Sequence, residues 1–399
     1  MNIKQLLQNE TQPIVIFGAS VVGREVYDRC LSVGISASAF CDDQKLDQYK
    51  GVNVFSLNVI KKRYPEAVFI VATTNANDAL HKITEMGNYK WILAGLILND
   101  QENFPCITDF YNYSEMEAQI IDRCIESHSF HNDKENLFAT SIDLLVTERC
   151  SLKCLDCCNL MQYFQNPQDI SIDEIKKNLK LIVHYFDSVH ELRVIGGEAL
   201  LHRNFAEILQ LSAGFININK ILVYTNGTIV PARRKLEALA LPNVVLAITD
   251  YGPISHNLDK LCEKCERYQI RYYITKAEEW VFCSSIKKHN RSMKENTKLF
   301  RSCCANNTFT VSNGKLYRCP FIANAVRLCA IEEAKDDRID FDSLNMLYKE
   351  KCEAKRVIND FLYNRDFFPA CDYCEGRPYG KITIKPAIQT KRPLDFDKF

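Results

Sequence analysis

The sequence predicts an α/β protein with two successive parallel-sheet units and a small cysteine-rich region near its C-terminal end. Short apolar runs alternate with helical patterns over residues 13 to about 100, and again over residues 139 to about 300. Such alternation is typical of parallel strands joined by helices. From residue 301 onward, cysteines recur at short spacings around a predicted hairpin, which indicates a separate ligand-binding region.

Composition excludes several classes of protein. The 399 residues include 50 basic and 50 acidic side chains, for a net charge of +0, whereas nucleic-acid binders normally carry a basic excess. No apolar run reaches the ~18 residues of a membrane span, and the polar N-terminal segment does not resemble a signal peptide. We therefore expect a cytoplasmic protein. In that reducing compartment the 18 cysteines are better explained by metal or cluster ligation than by disulfides.

The first unit has the layout of a dinucleotide-binding fold. A predicted strand over residues 13–17 is followed by Gly18 and Gly23 and then a helical pattern, with Asp42 and Asp43 about 20 residues further on. A helix N-terminus after such a turn favours an anion, and the acids would lie near a ribose hydroxyl.

The match is incomplete, because Ser20 replaces the glycine at which the backbone normally approaches a pyrophosphate. Residues 1–100 resemble the Rossmann-like N-terminal domains of sugar-modifying acyltransferases and methyltransferases from polysaccharide pathways. The resemblance implies a nucleotide or nucleotide-sugar site. A docking or dimerisation domain without a ligand remains an alternative. Residues 101–138 are interpreted as a linker helix.

Three cysteines with the spacing C-x3-C-x2-C follow the apolar strand pattern of residues 142–147; they are Cys150, Cys154 and Cys157. Three thiolates suit an iron–sulfur cluster in which one iron keeps an open position for another ligand. A structural zinc ion would need a fourth ligand, which Cys158 could supply.

This spacing resembles that of the radical S-adenosylmethionine (radical SAM) superfamily. Gly196-Gly197-Glu198, after a predicted strand, resembles the family's glycine-rich segment that contacts the methionyl amino group, and Asn226 in Thr225-Asn226-Gly227 resembles the next strand end. The resemblance implies that the three cysteines hold a [4Fe–4S] cluster that binds S-adenosyl-L-methionine. It also implies that Gly196, Gly197, Glu198 and Asn226 contact this cofactor. Asp156 stands where the family usually has an aromatic residue beside the adenine.

The strand and helix count over residues 139–300 suits the partial (β/α)6 barrel, of TIM type, of this family. Functional loops leave such a barrel at the C-terminal ends of its strands. Tyr251, in Asp250-Tyr251-Gly252, falls at that edge and is a candidate substrate or cofactor contact, or part of an ordinary turn. Cys262 and Cys265 lie on a predicted helix, and we expect them to pack in the core.

The region 301–380 combines a predicted hairpin, with an Asn-Gly turn at Asn313-Gly314, and seven cysteines. It resembles the SPASM/twitch extension of radical SAM barrels, in its shorter form with one auxiliary [4Fe–4S] cluster. A four-cysteine zinc site is the alternative, Cys329 and Cys352 are reserve ligands, and residues 381–399 are expected to form a surface tail. The implied cluster ligands are Cys304 (or Cys303), Cys319, Cys371 and Cys374.

The resemblance implies an enzyme that reductively cleaves S-adenosylmethionine and abstracts hydrogen from a substrate, with flavodoxin or ferredoxin as electron donor. We expect a carbohydrate or nucleotide-linked sugar as substrate, by analogy with the N-terminal unit and the single auxiliary cluster. Peptide modification and a non-catalytic zinc-binding scaffold are the alternatives.

Overall fold

The structure is a computed structural model, and the chain divides into two compact units, Met1–Lys134 and Glu135–Phe399. Asp43 lies outside the residues that the structure describes. The described residues are 2–42, 47–105, 114–131, 136–377 and 383–396.

The first unit contains a six-stranded sheet in the order β3-β4-β2-β1-β5-β6, in which only β3 runs antiparallel to its neighbour. This confirms the predicted Rossmann-like arrangement. Its elements are α1 (Ile3–Gln8), β1 (Ile14–Phe17), α2 (Val21–Ser32), β2 (Ala39–Cys41), β3 (Gln48–Tyr49), β4 (Val52–Phe55), α3 (Leu57–Arg63), β5 (Val68–Val71), α4 (Ala76–Met86), β6 (Lys90–Leu93), α5 (Gly95–Leu98) and α6 (Glu115–Phe130).

The predicted glycine-rich turn lies between β1 and α2. Gly18 has φ +108°, and a Cβ there would lie 2.6 Å from the Ala72 carbonyl oxygen, so only glycine fits. The Asp42 Oδ2 atom accepts a hydrogen bond of 2.9 Å from the Ala19 amide. A carboxylate of the protein therefore contacts this turn, whereas the sequence pattern placed Asp42 near a ribose.

The second unit carries the larger sheet. Its elements are β7 (Phe138–Thr147), α7 (Ile172–Tyr185), β8 (Ser188–Gly196), α8 (Phe205–Ala213), β9 (Ile218–Thr225), α9 (Arg233–Leu239), β10 (Val244–Asp250), α10 (Leu258–Tyr268), β11 (Tyr272–Lys276), β12 (Trp280–Val281), α11 (Met293–Ser302), β13 (Phe309–Ser312), β14 (Lys315–Tyr317), α12 (Pro320–Arg327), β15 (Arg338–Asp340), α13 (Phe341–Leu347), α14 (Lys351–Tyr363) and β16 (Thr383–Ile384).

The strand order is β11-β10-β9-β8-β7-β13-β14-β15. Strands β7 to β11 are parallel and alternate with α7 to α10, which confirms the α/β fold of the partial TIM-type barrel. A sixth parallel strand, β13, pairs with β7 rather than with β11. The predicted hairpin thus extends the barrel sheet itself.

Successive side chains along each strand of this sheet lie on opposite faces. The apolar positions Ile142, Leu144, Leu192 and Val194 belong to one buried core with the covering helices, because successive strand residues face opposite sides. Cys265 is fully buried in that core and Cys262 packs against it, as predicted. No helix in the described parts of the chain is long and apolar enough to cross a membrane.

Candidate active site

The first cysteine loop begins at the C-terminal end of β7, where Thr147 is the register partner of Gly196 on β8. Burial raises the pKa of the Cys150 thiol to about 12, and it also raises the pKa of Cys154 and of Cys157. The nearby Cys154 thiol adds to the rise of the Cys150 pKa, and the nearby Cys150 thiol adds to the rise of the Cys157 pKa. The structure therefore brings the three predicted ligands together.

This donor set fits an iron–sulfur cluster. Cluster ligands are thiolates, and a buried thiol loses its proton only when a cation compensates the charge. Within the described ranges, no group of three or more His, Cys, Asp or Glu side chains is placed to hold a single metal ion. A cubane cluster spreads its thiolates over different iron atoms, so its ligands do not converge on one point.

Gly196 and Gly197 hold the end of β8 against the cysteine loop. A Cβ on Gly196 would lie 2.0 Å from the Thr147 carbonyl oxygen, and one on Gly197 would lie 2.3 Å from the Arg149 carbonyl oxygen. These contacts leave no room for a side chain. The glycines are therefore required for packing against the base of the loop, a role that the sequence pattern did not reveal.

Glu198 is fully buried and connects two strand ends. Its Oε2 accepts hydrogen bonds from the Asn226 amide (2.9 Å) and the Thr225 hydroxyl (3.0 Å), and its Oε1 accepts from the Leu200 amide (3.2 Å). Burial raises the pKa of Glu198 to about 7, although these hydrogen bonds oppose the shift. In the structure the Glu198 carboxylate thus accepts from two backbone amides and one hydroxyl of the protein.

Asn226 connects the next strand end to the cysteine loop. Its Nδ2 donates to the Ser151 hydroxyl at 3.0 Å, and its Oδ1 accepts from the Thr228 amide at 3.1 Å. The hydroxyls of Ser151 and Thr228 are also hydrogen-bonded, at 2.6 Å. All the residues of the predicted cofactor site therefore lie at one edge of the sheet, as expected for the C-terminal ends of parallel strands.

The C-terminal segment covers the same loop. The Leu155 amide donates to the Ile388 carbonyl at 2.7 Å, and the Thr390 amide donates to the Lys153 carbonyl at 2.7 Å. Between them, Gln389 accepts from the Lys153 amide through Oε1 (2.8 Å) and donates to Cys154 Sγ through Nε2 (3.3 Å). The predicted surface tail is thus part of the site, which nothing in its polar composition indicated.

Two further residues at this edge were considered from the sequence. Asp156, in the position of the missing aromatic residue, accepts a hydrogen bond from the Ser284 hydroxyl at 3.2 Å. The ring of Tyr251 packs edge-on to Trp280, with centroids 5.6 Å apart. Burial raises the pKa of Tyr251, and the thiol of Cys158 adds to the shift. Tyr251 is therefore an aromatic residue beside the cysteine loop.

The second group of cysteines lines a cavity. The cavity has an empty volume of about 420 Å³, including its mouth. The structure favours Cys303, which the sequence analysis left as the alternative, over Cys304, which is exposed and is absent from this lining. The reserves Cys329 and Cys352 are exposed as well. The cysteines that line the cavity are Cys303, Cys319, Cys371 and Cys374.

Arg318 lines the same cavity, and its surroundings test whether a cluster fits. Its side chain is 5% exposed, and neither Nε nor Nη1 has a hydrogen-bond partner in the part of the chain that the structure describes. A buried cation is costly unless an anion compensates it. A cluster ligated by four thiolates is anionic, so the cavity suits such a group.

Residues 282–292 connect the two cysteine groups. Ser284 contacts the first loop, because its hydroxyl donates to the Asp156 carboxylate at 3.2 Å. Further along, the Lys287 amide donates to the Tyr373 carbonyl at 3.2 Å, and the His289 amide donates to the Asp372 carbonyl at 3.0 Å. This irregular segment therefore joins the two sites within the second unit.

Sequence reasoning missed the polar inner face of the barrel sheet. On β7 and β8, Asp143 and Arg193 are register partners, and the Arg193 Nη2 donates to Glu191 Oε2 at 2.9 Å. Burial raises the pKa of Asp143 to about 6, although Arg193 and Arg377 oppose the shift. The sequence signal that could have revealed this face is the charged residues at alternate positions of otherwise apolar strands.

Comparison with known proteins gives a partial match. Residues 144–253 match the family model of the Radical SAM superfamily. GTP 3',8-cyclase from Clostridium acetobutylicum is 32% identical over 104 residues, which cover 26% of this chain and 32% of that protein. The chain spans about a third of the length of the curated relatives it matches.

Two solved structures are similar at low identity. BtrN in complex with AdoMet and 2-DOIA is 16% identical with a TM-score of 0.39, and the match covers 61% of this chain and 94% of that one. SuiB from Streptococcus suis bound to the precursor peptide SuiA is 11% identical with a TM-score of 0.36, and the match covers 71% of this chain and 82% of that one.

Proposed function

We propose that this chain, which contains a radical SAM domain over residues 144–253, is a cytoplasmic radical SAM enzyme with two [4Fe–4S] clusters that acts on a carbohydrate or nucleotide-linked sugar. The observation that carries the proposal is the placement of three neighbouring thiols, the buried Cys154 and the half-buried Cys150 and Cys157, at the C-terminal edge of the barrel sheet. When bound, a cluster and S-adenosylmethionine, with an electron from flavodoxin or ferredoxin, would supply a 5′-deoxyadenosyl radical able to take a hydrogen atom from the substrate.

The residues of the chain would bind and orient the cluster and the cofactor and shield the reacting centre. Cys150, Cys154 and Cys157 would hold the first cluster. Glu198 and Asn226 fix the edge at which the cofactor binds, because both hydrogen-bond to neighbouring strand ends. Keeping water and oxidants from the reacting centre is the protein's part in such chemistry, and the segment around Gln389 that covers the loop suits it.

The charged residues on the inner face of the barrel favour a polar substrate. Sugar hydroxyls both donate and accept hydrogen bonds, and they therefore suit a face on which the buried carboxylates of Asp143 and Glu191 lie beside the guanidinium of Arg193. Arg193 stands three residues before Gly196, which is about 10 Å along the strand at ~3.3 Å per residue. A small substrate on this face would lie below the cofactor edge.

Anaerobic reconstitution tests the proposal. We expect about eight irons per chain, from four irons in each cubane cluster, and 5′-deoxyadenosine formation with sugars or nucleotide sugars. Replacing Cys150, Cys154 and Cys157 together by alanine should remove about half of the iron and all cofactor cleavage. Cys352→Ala, which changes an exposed cysteine outside both groups, is the matched control and should change neither.

The assay also includes GTP, the substrate in the name of the curated relatives, and peptides. Turnover with peptides but not with sugars would support peptide modification instead. A colourless protein with stoichiometric zinc would support the non-catalytic scaffold. 5′-Deoxyadenosine formation by the triple variant would contradict the assignment of the first cluster.

A further inference from the structure

We propose that Arg318 is a fixed counter-charge of the auxiliary cluster and raises the reduction potential of that cluster. The inference rests on the proposed function, because it takes the cluster to be bound by Cys303, Cys319, Cys371 and Cys374. Arg318 would act through the cluster and is a positioning residue.

The surroundings of Arg318 are unusual for a charged side chain. Its guanidinium carbon lies 4.4 Å from the ring centroid of Phe309, 5.2 Å from that of Phe300 and 5.9 Å from that of Phe368. Ring faces attract a cation but compensate only part of its lost hydration. Three aromatic rings therefore position the guanidinium without neutralising it.

The anionic groups around Arg318 are mostly thiols. The cavity that Arg318 lines is also lined by Cys303, Cys319, Cys371 and Cys374, and Arg318 directly precedes Cys319 in the chain. A four-thiolate cluster would thus place its negative charge beside the unpartnered Nε and Nη1.

The effect on the potential follows from charge. Reduction adds one negative charge to a cluster that is already anionic, and net charge and hydrogen bonds to the sulfurs are main determinants of cluster potential. A nearby cation stabilises the reduced form more than the oxidised form, and the stabilisation is large in a poorly solvated cavity. Arginine suits the role because it stays charged and is weakly hydrated.

Potentiometric titration followed by EPR spectroscopy tests the inference. The parent for these measurements is the full chain with Cys150, Cys154 and Cys157 changed to alanine, so that only the auxiliary cluster contributes. We expect Arg318→Met to shift the midpoint to a more negative potential. Arg318→Lys, which keeps a positive charge, should stay closer to the parent.

Arg327→Met is the matched control, because Arg327 pairs with Glu148 at 2.7 Å and does not line the cavity. It should leave the midpoint unchanged. If Arg318→Met prevents cluster assembly, retention of iron by Arg318→Lys supports a need for the charge. Loss of iron in both variants, or an unchanged midpoint in Arg318→Met, overturns the inference. Zinc without iron in the parent would instead overturn the auxiliary cluster itself.

Discussion

At the scale of single residues, Gly197 decides whether the cysteine loop can pack against the sheet. A Cβ there would lie 2.3 Å from the Arg149 carbonyl oxygen and 2.8 Å from the Cys150 Cβ. Since neither neighbour is the flexible end of a side chain, the loop must move to accept a methyl group. Overpacking of this kind typically costs about 1–3 kcal/mol.

We therefore expect Gly197→Ala to lower the free energy of unfolding by about 1–3 kcal/mol and to reduce iron bound by the first cysteine group. Urea unfolding of the apoprotein and iron analysis after reconstitution measure the two effects. Gly214→Ala is the matched control, since a Cβ at Gly214 would have no neighbour nearer than 3.5 Å. Equal iron content in Gly197→Ala and Gly214→Ala would contradict the close-packing argument.

Residue identities predicted the functional residues at the C-terminal edge of the barrel sheet, but they did not predict the charged residues on its inner face. The spacing of Cys150, Cys154 and Cys157, and the glycine pair after β8, are local patterns, and they pointed to residues that the structure brings together. Which of Cys303 and Cys304 lines the cavity is not a local property, because two adjacent cysteines differ only in which one the folded chain turns toward it, and here it is Cys303.

At the scale of elements, the segment around Gln389 was predicted to be a surface tail. In the structure it covers the first cysteine loop. Its backbone pairs with Lys153 and Leu155, and the Gln389 side chain donates to Cys154 Sγ. A hydrogen bond to a cluster sulfur stabilises the added negative charge of the reduced state. The segment therefore bears on the redox properties of the first cluster.

We expect Gln389→Ala to shift the midpoint of the first cluster to a more negative potential. The measurement is an EPR-monitored titration in the Cys319→Ala background, which is designed to lack the auxiliary cluster. Ile388→Ala is the control, because its side chain is 43% exposed and its carbonyl, which accepts from Leu155, is unchanged. A midpoint that moves equally in both variants would indicate a general loosening of the segment instead.

The hairpin illustrates what a sequence pattern can and cannot predict. Its Asn-Gly turn and apolar flanks predicted two strands, and β13 and β14 form them around Asn313. The pairing of β13 with β7 joins residues about 165 positions apart, such as Thr310 and Asp143. Hydrophobic periodicity specifies a strand and its buried face but not its partner.

At the scale of the whole molecule, the two units have separate cores. The core of the second unit is drawn from residues 137–396, and the clusters of the first unit are drawn from residues 3–125. Both cysteine groups and the segment around Gln389 lie in the second unit. The first unit contributes the predicted nucleotide site, where Asp42 already accepts a hydrogen bond from Ala19.

This division predicts that the second unit does the cofactor chemistry alone. A chain of residues 136–399 should fold and bind about eight irons, as expected for two cubane clusters. It should form 5′-deoxyadenosine at a rate comparable to that of the full chain. The reason is that every predicted ligand and its hydrogen-bond partners are retained. The full chain carrying Asp42→Ala is the companion variant, since it alters the first unit without removing it. It should keep iron and cofactor cleavage, while calorimetry should detect weaker binding of a nucleotide sugar. An iron-free fragment that is nevertheless folded by circular dichroism would contradict the prediction, and it would mean that the first unit takes part in assembling the clusters.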